Sequence, residues 1–169
     1  YEQRHFCPGE NVGRNHAEWR GGKVVYFTGD VVFYDMKMPH LTVSAEICED
    51  LWVPDSPSVK QALAGANIIV NLSCSDEIAG KAEYRRNLVK MQSAKLICGY
   101  VYCDAGDGES TTDMVFAGHN LICENGSVLA ESKLFENGLL FADIDVDKLN
   151  NERKRCASAF YEGYNDNNA

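Results

Sequence analysis

The chain has 169 residues, 45% apolar and 24% charged, with a formal net charge of −9. That length holds one domain with a core of its own, in the composition of a soluble globular protein. No apolar run approaches the ~20 residues that span a bilayer, and the acidic balance excludes a basic nucleic-acid surface. Neither a membrane nor a nucleic-acid partner is expected. Seven cysteines (Cys7, Cys48, Cys74, Cys98, Cys103, Cys123 and Cys156) form no C-x-x-C pair. They are expected as reduced thiols in a cytoplasmic protein. His5, His16, His40 and His119 lack ligand spacing, so no metal site is expected.

In chain order, residues 1–22 read as loop. The chain starts Tyr1-Glu2-Gln3-Arg4 without Met, which reads as the interior of a domain, and a fragment is expected. Lys23 to Phe27 and Val31 to Tyr34 are β-rich runs around Thr28-Gly29-Asp30, a hairpin signal. Thr42 to Ile47 is a strand with Val43, Ala45 and Ile47 on one face. A short helix runs from Pro57 to Ala64 and stops at Gly65. Asn67 to Leu72 is nearly all apolar, as a central strand covered on both faces would be. Gly80 to Lys95 predicts a helix with Tyr84, Leu88 and Met91 inward and Lys81, Arg85 and Lys95 off that stripe. Ile97 to Cys103 predicts a strand, and Asp104 to Asp113 a polar loop. Asn125-Gly126 predicts a hairpin between 121–123 and 128–130. A last strand is expected over Leu139 to Ile144 and a charged helix over Val146 to Cys156. The order predicts a mixed sheet with helices on one face and a further layer on the other. Val24, Val43 and Ile68 are expected to lack cover in a fragment.

Cys48 is the first chemical candidate. It ends the strand Thr42 to Ile47 and enters the turn Glu49-Asp50-Leu51-Trp52, the place where an α/β protein presents a nucleophile. Glu46, Glu49 and Asp50 oppose thiolate formation there by like charge, so a reactive thiol needs a cation or base nearby. Asn71-Leu72-Ser73-Cys74-Ser75 ends the next strand, and its hydroxyls lie beside Cys48 if the two strands are neighbours. Gly106 to Asp113 (G-D-G-E-S-T-T-D) is read as a hydrogen-bonded loop that shapes a pocket. Its spacing is neither that of an EF-hand nor of a dinucleotide fingerprint.

E-I-C-E-D-L-W-V-P at 46–54, L-A-G-A-N-I-I-V-N-L-S-C-S at 63–75, G-K-A-E-Y-R-R at 80–86, Y-V-Y at 100–102, G-D-G-E-S-T-T-D at 106–113 and E-N-G at 124–126 are landmarks. Together they resemble the glutaminase domain of the glutamine-dependent NAD synthetase family, a branch of the nitrilase superfamily. The resemblance implies an α/β fold, the nitrilase-like αββα sandwich, here missing N-terminal strands. It spans residues 1–158 as a partial carbon-nitrogen hydrolase domain, with 159–169 as a polar tail or linker toward a synthetase domain.

It implies a Glu-Lys-Cys triad in which Cys48 attacks the side-chain amide of glutamine and releases ammonia for amidation of deamido-NAD. The Glu49 backbone N–H would serve the oxyanion. The Glu49 carboxylate and Ser75 would hold the amino end of glutamine, Trp52 would wall the pocket, and Glu2 would be a further pocket carboxylate. The triad glutamate and lysine match nothing in the 169 residues, so this chain alone is expected to be inactive. No cofactor is implied here, and ATP with magnesium only in a C-terminal synthetase domain. A homo-oligomer is implied as well. Two alternatives are a stand-alone amidase acting on another amide and a non-catalytic interaction fragment.

Overall fold

The structure, a computed structural model, describes residues 15–19, 21–27, 31–109 and 113–156. Two units emerge, Tyr1–Val31 and Val32–Ala169. In the first, β1 (Asn15–Trp19) pairs antiparallel with β2 (Lys23–Phe27). Residues 1–22 were expected as loop, so β1 is a correction. Gly21 and Gly22 carry it: both sit at positive φ (85° and 73°) and turn the chain where a side chain would be strained. The hairpin expected around Thr28-Gly29-Asp30 lies outside the described residues. The runs on either side of it pair elsewhere, β2 with β1 and β3 (Val32–Tyr34) with β4 (Thr42–Ile47).

The second unit is a six-stranded mixed sheet in the order β3-β4-β5-β6-β7-β8. β4, β5 (Ile68–Ser73) and β6 (Gly99–Asp104) are parallel neighbours. The β7 (Leu121–Glu124) and β8 (Ser127–Glu131) strands close one edge as the hairpin that Asn125-Gly126 predicts. α1 (Pro57–Leu63) joins β4 to β5, and α2 (Lys81–Leu96) joins β5 to β6. Short parallel connections of this kind put consecutive strands side by side. The core lies between the helices and one sheet face, where Ala62, Val89 and Leu96 meet Ile69, Tyr100, Tyr102, Leu121 and Cys123.

Side-chain alternation runs opposite to what apolarity suggests. On β4 the buried residues are Thr42, Ser44 and Glu46, while Ala45 and Ile47 are exposed. On β5, Ile69, Asn71 and Ser73 are buried, and Leu72 is 59% exposed. β5 is therefore covered on its helix side, and on its other face, among the described residues of this unit, the packing is at one end. There Ile144 packs beside Ile68 over Gly99, whose missing Cβ makes the room. Val24 is exposed and Val43 partly so, as expected, but Ile68 is buried. Residues 139–144 form no strand, because among the described residues none pairs with them, and Leu139 and Phe141 stay exposed.

The inward stripe of α2 is Arg85, Val89, Ser93 and Leu96, while Tyr84 and Met91 are exposed. A hydrophobic pattern cannot foresee Arg85 inside, because its burial rests on charge partners rather than apolarity. The Arg85 side chain is 0% exposed, with NH1 3.0 Å from Glu77 Oε2. The same group lies 2.9 Å from His119 Nδ1, and NH2 donates to Ser75 Oγ at 3.3 Å. An arginine has only protons to offer, so Nδ1 accepts and the imidazole proton sits on Nε2, 2.7 Å from Glu131 Oε1. Burial lowers the His119 pKa, consistent with a neutral ring. Glu131 also receives Arg86 Nε through both oxygens at 2.9 Å.

The Asp104 side chain faces Arg85 NH2 at 3.8 Å and is itself buried. Its Oδ1 accepts from Ser75 N at 2.9 Å, while Oδ2 has no hydrogen-bond partner among the described residues. Burial is the largest cause that pushes its pKa from 3.8 to about 6. At the far end of the sheet, α3 (Val146–Arg155) sends in Arg153. Its guanidinium donates to Ala66 O, Leu96 O and Ile97 O at 2.8–2.9 Å. The last two are carbonyls that the end of α2 leaves without helical donors. The tail expected over 159–169 lies outside the described residues.

Two outcomes follow from these buried charges. Arg153→Leu orphans three carbonyls and is expected to lower stability by about 3 kcal/mol, read from the urea midpoint. The folded-state pKa of Asp104 is raised, so the folded protein binds the proton more tightly than the unfolded chain. The penalty for ionising Asp104 is absent below about pH 4 and grows up to about pH 6. Asp104→Asn keeps the Oδ1 acceptor and removes the charge. Its unfolding midpoint should decline less than wild type between those pH values.

Candidate active site

Cys48 follows the last residue of β4 and opens a 3-10 turn, Cys48–Leu51. Its φ is 46°, a left-handed conformation that costs a non-glycine residue energy and persists only where the surroundings enforce it. Asn71, on the neighbouring strand, supplies that enforcement. Its Oδ1 accepts from Cys48 N at 3.0 Å, and its Nδ2 donates to Cys48 O at 3.4 Å. The Asn71 amide also reaches Tyr100 Oη at 3.2 Å, and Tyr100 donates to Glu46. Strand β6 thus braces the elbow through β5.

Two of the three carboxylates around Cys48 have structural tasks. Glu46 is buried, bound to Tyr100 and to Ser58 N at 2.9 Å. Asp50 Oδ2 accepts from Ile47 N at 2.8 Å and ties off the turn. Only Glu49 is exposed. The first N–H groups of a helical turn have no acceptor within it. Asn71 takes that of Cys48, and the Glu49 N–H that follows has no acceptor within the turn itself.

The Cys48 sulfur is 7% exposed as part of its residue and lies 3.3 Å from Ser73 Oγ. Ser75 stands two residues beyond β5, its N–H on Asp104 and its hydroxyl receiving Arg85. Cys48 and Ser75 thus lie just past the carboxyl ends of adjacent parallel strands, at one edge of the sheet, as expected. Trp52 leaves the same turn and stacks on Tyr84, ring centroids 5.4 Å apart and planes 15° apart. Lys81 Nζ sits 5.8 Å from the Trp52 ring centroid and pairs with Asp76. Glu2 lies outside the described residues, and so do positions 110–112 of the polar loop. Gly106 in that loop abuts Asn137 and the Gly118 backbone, so a Cβ would clash with Asn137 Oδ1 at 2.9 Å. Among the described residues no cluster of His, Cys, Asp and Glu could hold a metal.

The Asn71 to Ser75 segment lies beside Cys48 as expected, with Ser73 Oγ on the sulfur and Asn71 on the backbone. Sequence reasoning gave a role there to Ser75 alone, and it missed Tyr100, Tyr102, Arg85 and Lys81 as parts of this edge. The period-2 pattern held the signal. Asn71 and Ser73 alternate on β5, Tyr100 and Tyr102 on β6, and the register sets Asn71 opposite Tyr102.

Residues 1–154 match the carbon-nitrogen hydrolase family. The glutamine-dependent NAD(+) synthetase of Mycobacterium tuberculosis H37Rv is 43% identical over 160 residues, covering 94% of this chain and 23% of that protein. That of Homo sapiens is 33% identical over 120 residues, 69% of this chain and 17% of that one. The crystal structure of a glutamine-dependent NAD(+) synthetase from Cytophaga hutchinsonii superposes with a TM-score of 0.64 at 26% identity, over 83% of this chain and 22% of that one. Saccharomyces cerevisiae Nit3, of branch 10 of the nitrilase superfamily, shares the fold at a TM-score of 0.62 and 16% identity, over 93% and 49% of the two chains. The chain spans about a quarter of the length of the synthetases it matches. Its mixed sheet with helices on one face is the nitrilase-type α/β architecture expected from the sequence. With that architecture, and with nearly its whole length matched, the chain belongs to the carbon-nitrogen hydrolase family.

Proposed function

We propose that this chain is the glutamine-hydrolysing domain of a glutamine-dependent NAD synthetase, residues 1–158 forming that domain. The observation that carries the reading is the Cys48 elbow. A buried thiol is held at positive φ on a strand end, with a hydroxyl on its sulfur and, next in sequence, a backbone N–H that has no acceptor within its own turn. That is the arrangement an acyl-transfer nucleophile needs.

Cys48 Sγ, as thiolate, attacks the side-chain amide carbon of glutamine. The C–S bond forms and the carbonyl oxygen becomes an oxyanion, to which the Glu49 N–H donates. Such a donor contributes about 3 kcal/mol in comparable acyl transfer. The C–N bond then breaks, ammonia leaves with the added proton, and a γ-glutamyl thioester remains. Water hydrolyses it to glutamate and restores the thiol. The family resemblance assigns the proton acceptor to a triad glutamate that none of the matched segments carries.

Ser75, fixed from both sides by Asp104 and Arg85, suits the amino end of glutamine together with the Glu49 carboxylate, and Glu2 joins them in this reading. Trp52, held against Tyr84, is the wall of the pocket. The ammonia would serve amidation of deamido-NAD in a synthetase domain that uses ATP and magnesium. The hydrolase domain itself needs no cofactor for these steps. A cytoplasmic homo-oligomer is part of the same reading. Among the described residues no helix is long and apolar enough to cross a membrane.

The test compares glutamine and ammonium as nitrogen donors for the whole enzyme, following glutamate and NAD separately. Cys48→Ala should release no glutamate from glutamine, yet form NAD from ammonium at the wild-type rate. Glutamate release by the alanine variant would exclude Cys48 as nucleophile. Ser75→Ala should raise the KM for glutamine about tenfold, the loss of one hydrogen bond to a charged group, and change kcat little. A fall in kcat at constant KM would move Ser75 from substrate holding to the chemical step.

A further inference from the structure

Two hydroxyl groups on neighbouring strands form a line that ends on the Cys48 sulfur, and the steps above use neither. Ser73, the last residue of β5, donates to Sγ across 3.3 Å. Tyr102 Oη, on β6, lies 2.6 Å from Ser73 Oγ. Ser73 and Tyr102 are both buried. A strand-end serine usually satisfies itself on nearby backbone. These two contacts of Ser73 instead go to side chains 25 and 29 positions away in sequence.

The direction of donation follows from proton counting. Burial is the first cause that raises the Tyr102 pKa well above the phenol range, so the group keeps its proton. A serine hydroxyl has one proton. When that proton points at sulfur, the 2.6 Å contact must be filled by the proton of Tyr102. Donation then runs one way, from Tyr102 Oη–H to Ser73 Oγ–H to Cys48 Sγ. A hydrogen bond to an anion is stronger than one to a neutral acceptor, and a chain of donors polarises each member.

We propose that Ser73 is a catalytic hydrogen-bond donor that stabilises the Cys48 thiolate, and that Tyr102 is the positioning residue that aims it. The proposal rests on Cys48 being the nucleophile. Stabilising a thiolate also blunts it, but less than it enriches it. Lowering a thiol pKa by one unit raises the thiolate fraction about tenfold and costs about threefold in intrinsic attack rate. The same donor eases the second half of the cycle, because a thiolate held by hydrogen bonds departs more readily from the thioester.

The experiment measures the pH dependence of iodoacetamide alkylation at Cys48, resolved by peptide mass, in the whole enzyme and in its Ser73→Ala and Tyr102→Phe variants. Glutamine kinetics run alongside. Ser73→Ala should move the alkylation midpoint up by about one pH unit and lower kcat about threefold, the roughly tenfold loss of thiolate less its roughly threefold gain in attack rate, with KM for glutamine unchanged. Tyr102→Phe removes one oxygen from a packed ring, and should shift the midpoint in the same direction by less. Purely structural roles would weaken folding without moving the midpoint. An unmoved midpoint in Ser73→Ala overturns the proposal. If that variant does not fold, an unmoved midpoint in Tyr102→Phe does so. Failure of the underlying reading looks different: Cys48→Ala would then still release glutamate.

Discussion

The site depends on one side chain holding one residue in a conformation it would otherwise leave. Cys48 sits at a φ of 46°, and Asn71 grips its N–H and its C=O together. An isolated peptide would relax from that geometry, since the left-handed region costs a residue with a Cβ on the order of 1 kcal/mol. Asn71 can resist because it has nowhere to go. It is buried on a central strand, its amide is further bound to Tyr100, and β4 and β6 flank its backbone. The strain is thus spread into a hydrogen-bonded sheet instead of being stored in a loop. A thiol mounted this way stands clear of its strand without gaining freedom to move.

The same requirement explains the reversed polarity of β4 and β5. A strand that packed only apolar groups against α1 and α2 would have nothing to hold the elbow with. Glu46, Asn71 and Ser73 take inward positions, and the core closes around them with Tyr100 and Tyr102. Each tyrosine places a ring in the core and a hydroxyl at the site. Packing and chemistry therefore share residues. The buried ionic layer around Arg85 extends the arrangement to Ser75. Its cost is visible in Asp104, where Arg85 stands 3.8 Å from an oxygen that has no hydrogen-bond partner among the described residues.

Sequence alone carried the element order well. The strand Thr42–Ile47 was legible to the residue, and both connecting helices and the Asn125-Gly126 hairpin emerged close to their observed bounds. These segments have strong local signals: a Pro start, a Gly stop, a turn dipeptide. Faces were less legible. Ile47 and Leu72 read as core yet are exposed, and Arg85 read as solvent-facing yet is fully buried. Apolarity identifies a core only where the core is apolar, and this one is partly a polar network. Cys48 and Ser75 were legible because each ends an apolar strand. The hydroxyls of the 71–75 segment were legible as neighbours of Cys48, but the contact of Ser73 with its sulfur and the tyrosines behind it were not, because these pairings run across strands and register is set by tertiary structure.

Register also explains why one cysteine among many is set apart. Cys98 and Cys123 lie in the core, where burial pushes their thiols up to about 12 and about 11. Such groups stay protonated, shielded and inert. Cys103 alternates with Tyr102 and so emerges on the opposite, exposed side of the sheet. Cys48 is buried too, though less completely than those two, and its nearest surroundings differ in kind. A hydroxyl rather than a methyl group meets its sulfur, and a helical turn rather than a strand carries its backbone onward. Burial alone disfavours a thiolate, whereas burial with an aimed donor excludes water while still solvating the charge. That combination is not a property of Cys48 itself. It comes from Asn71, Ser73 and Tyr102 together, on two strands whose alignment no local stretch of the chain encodes.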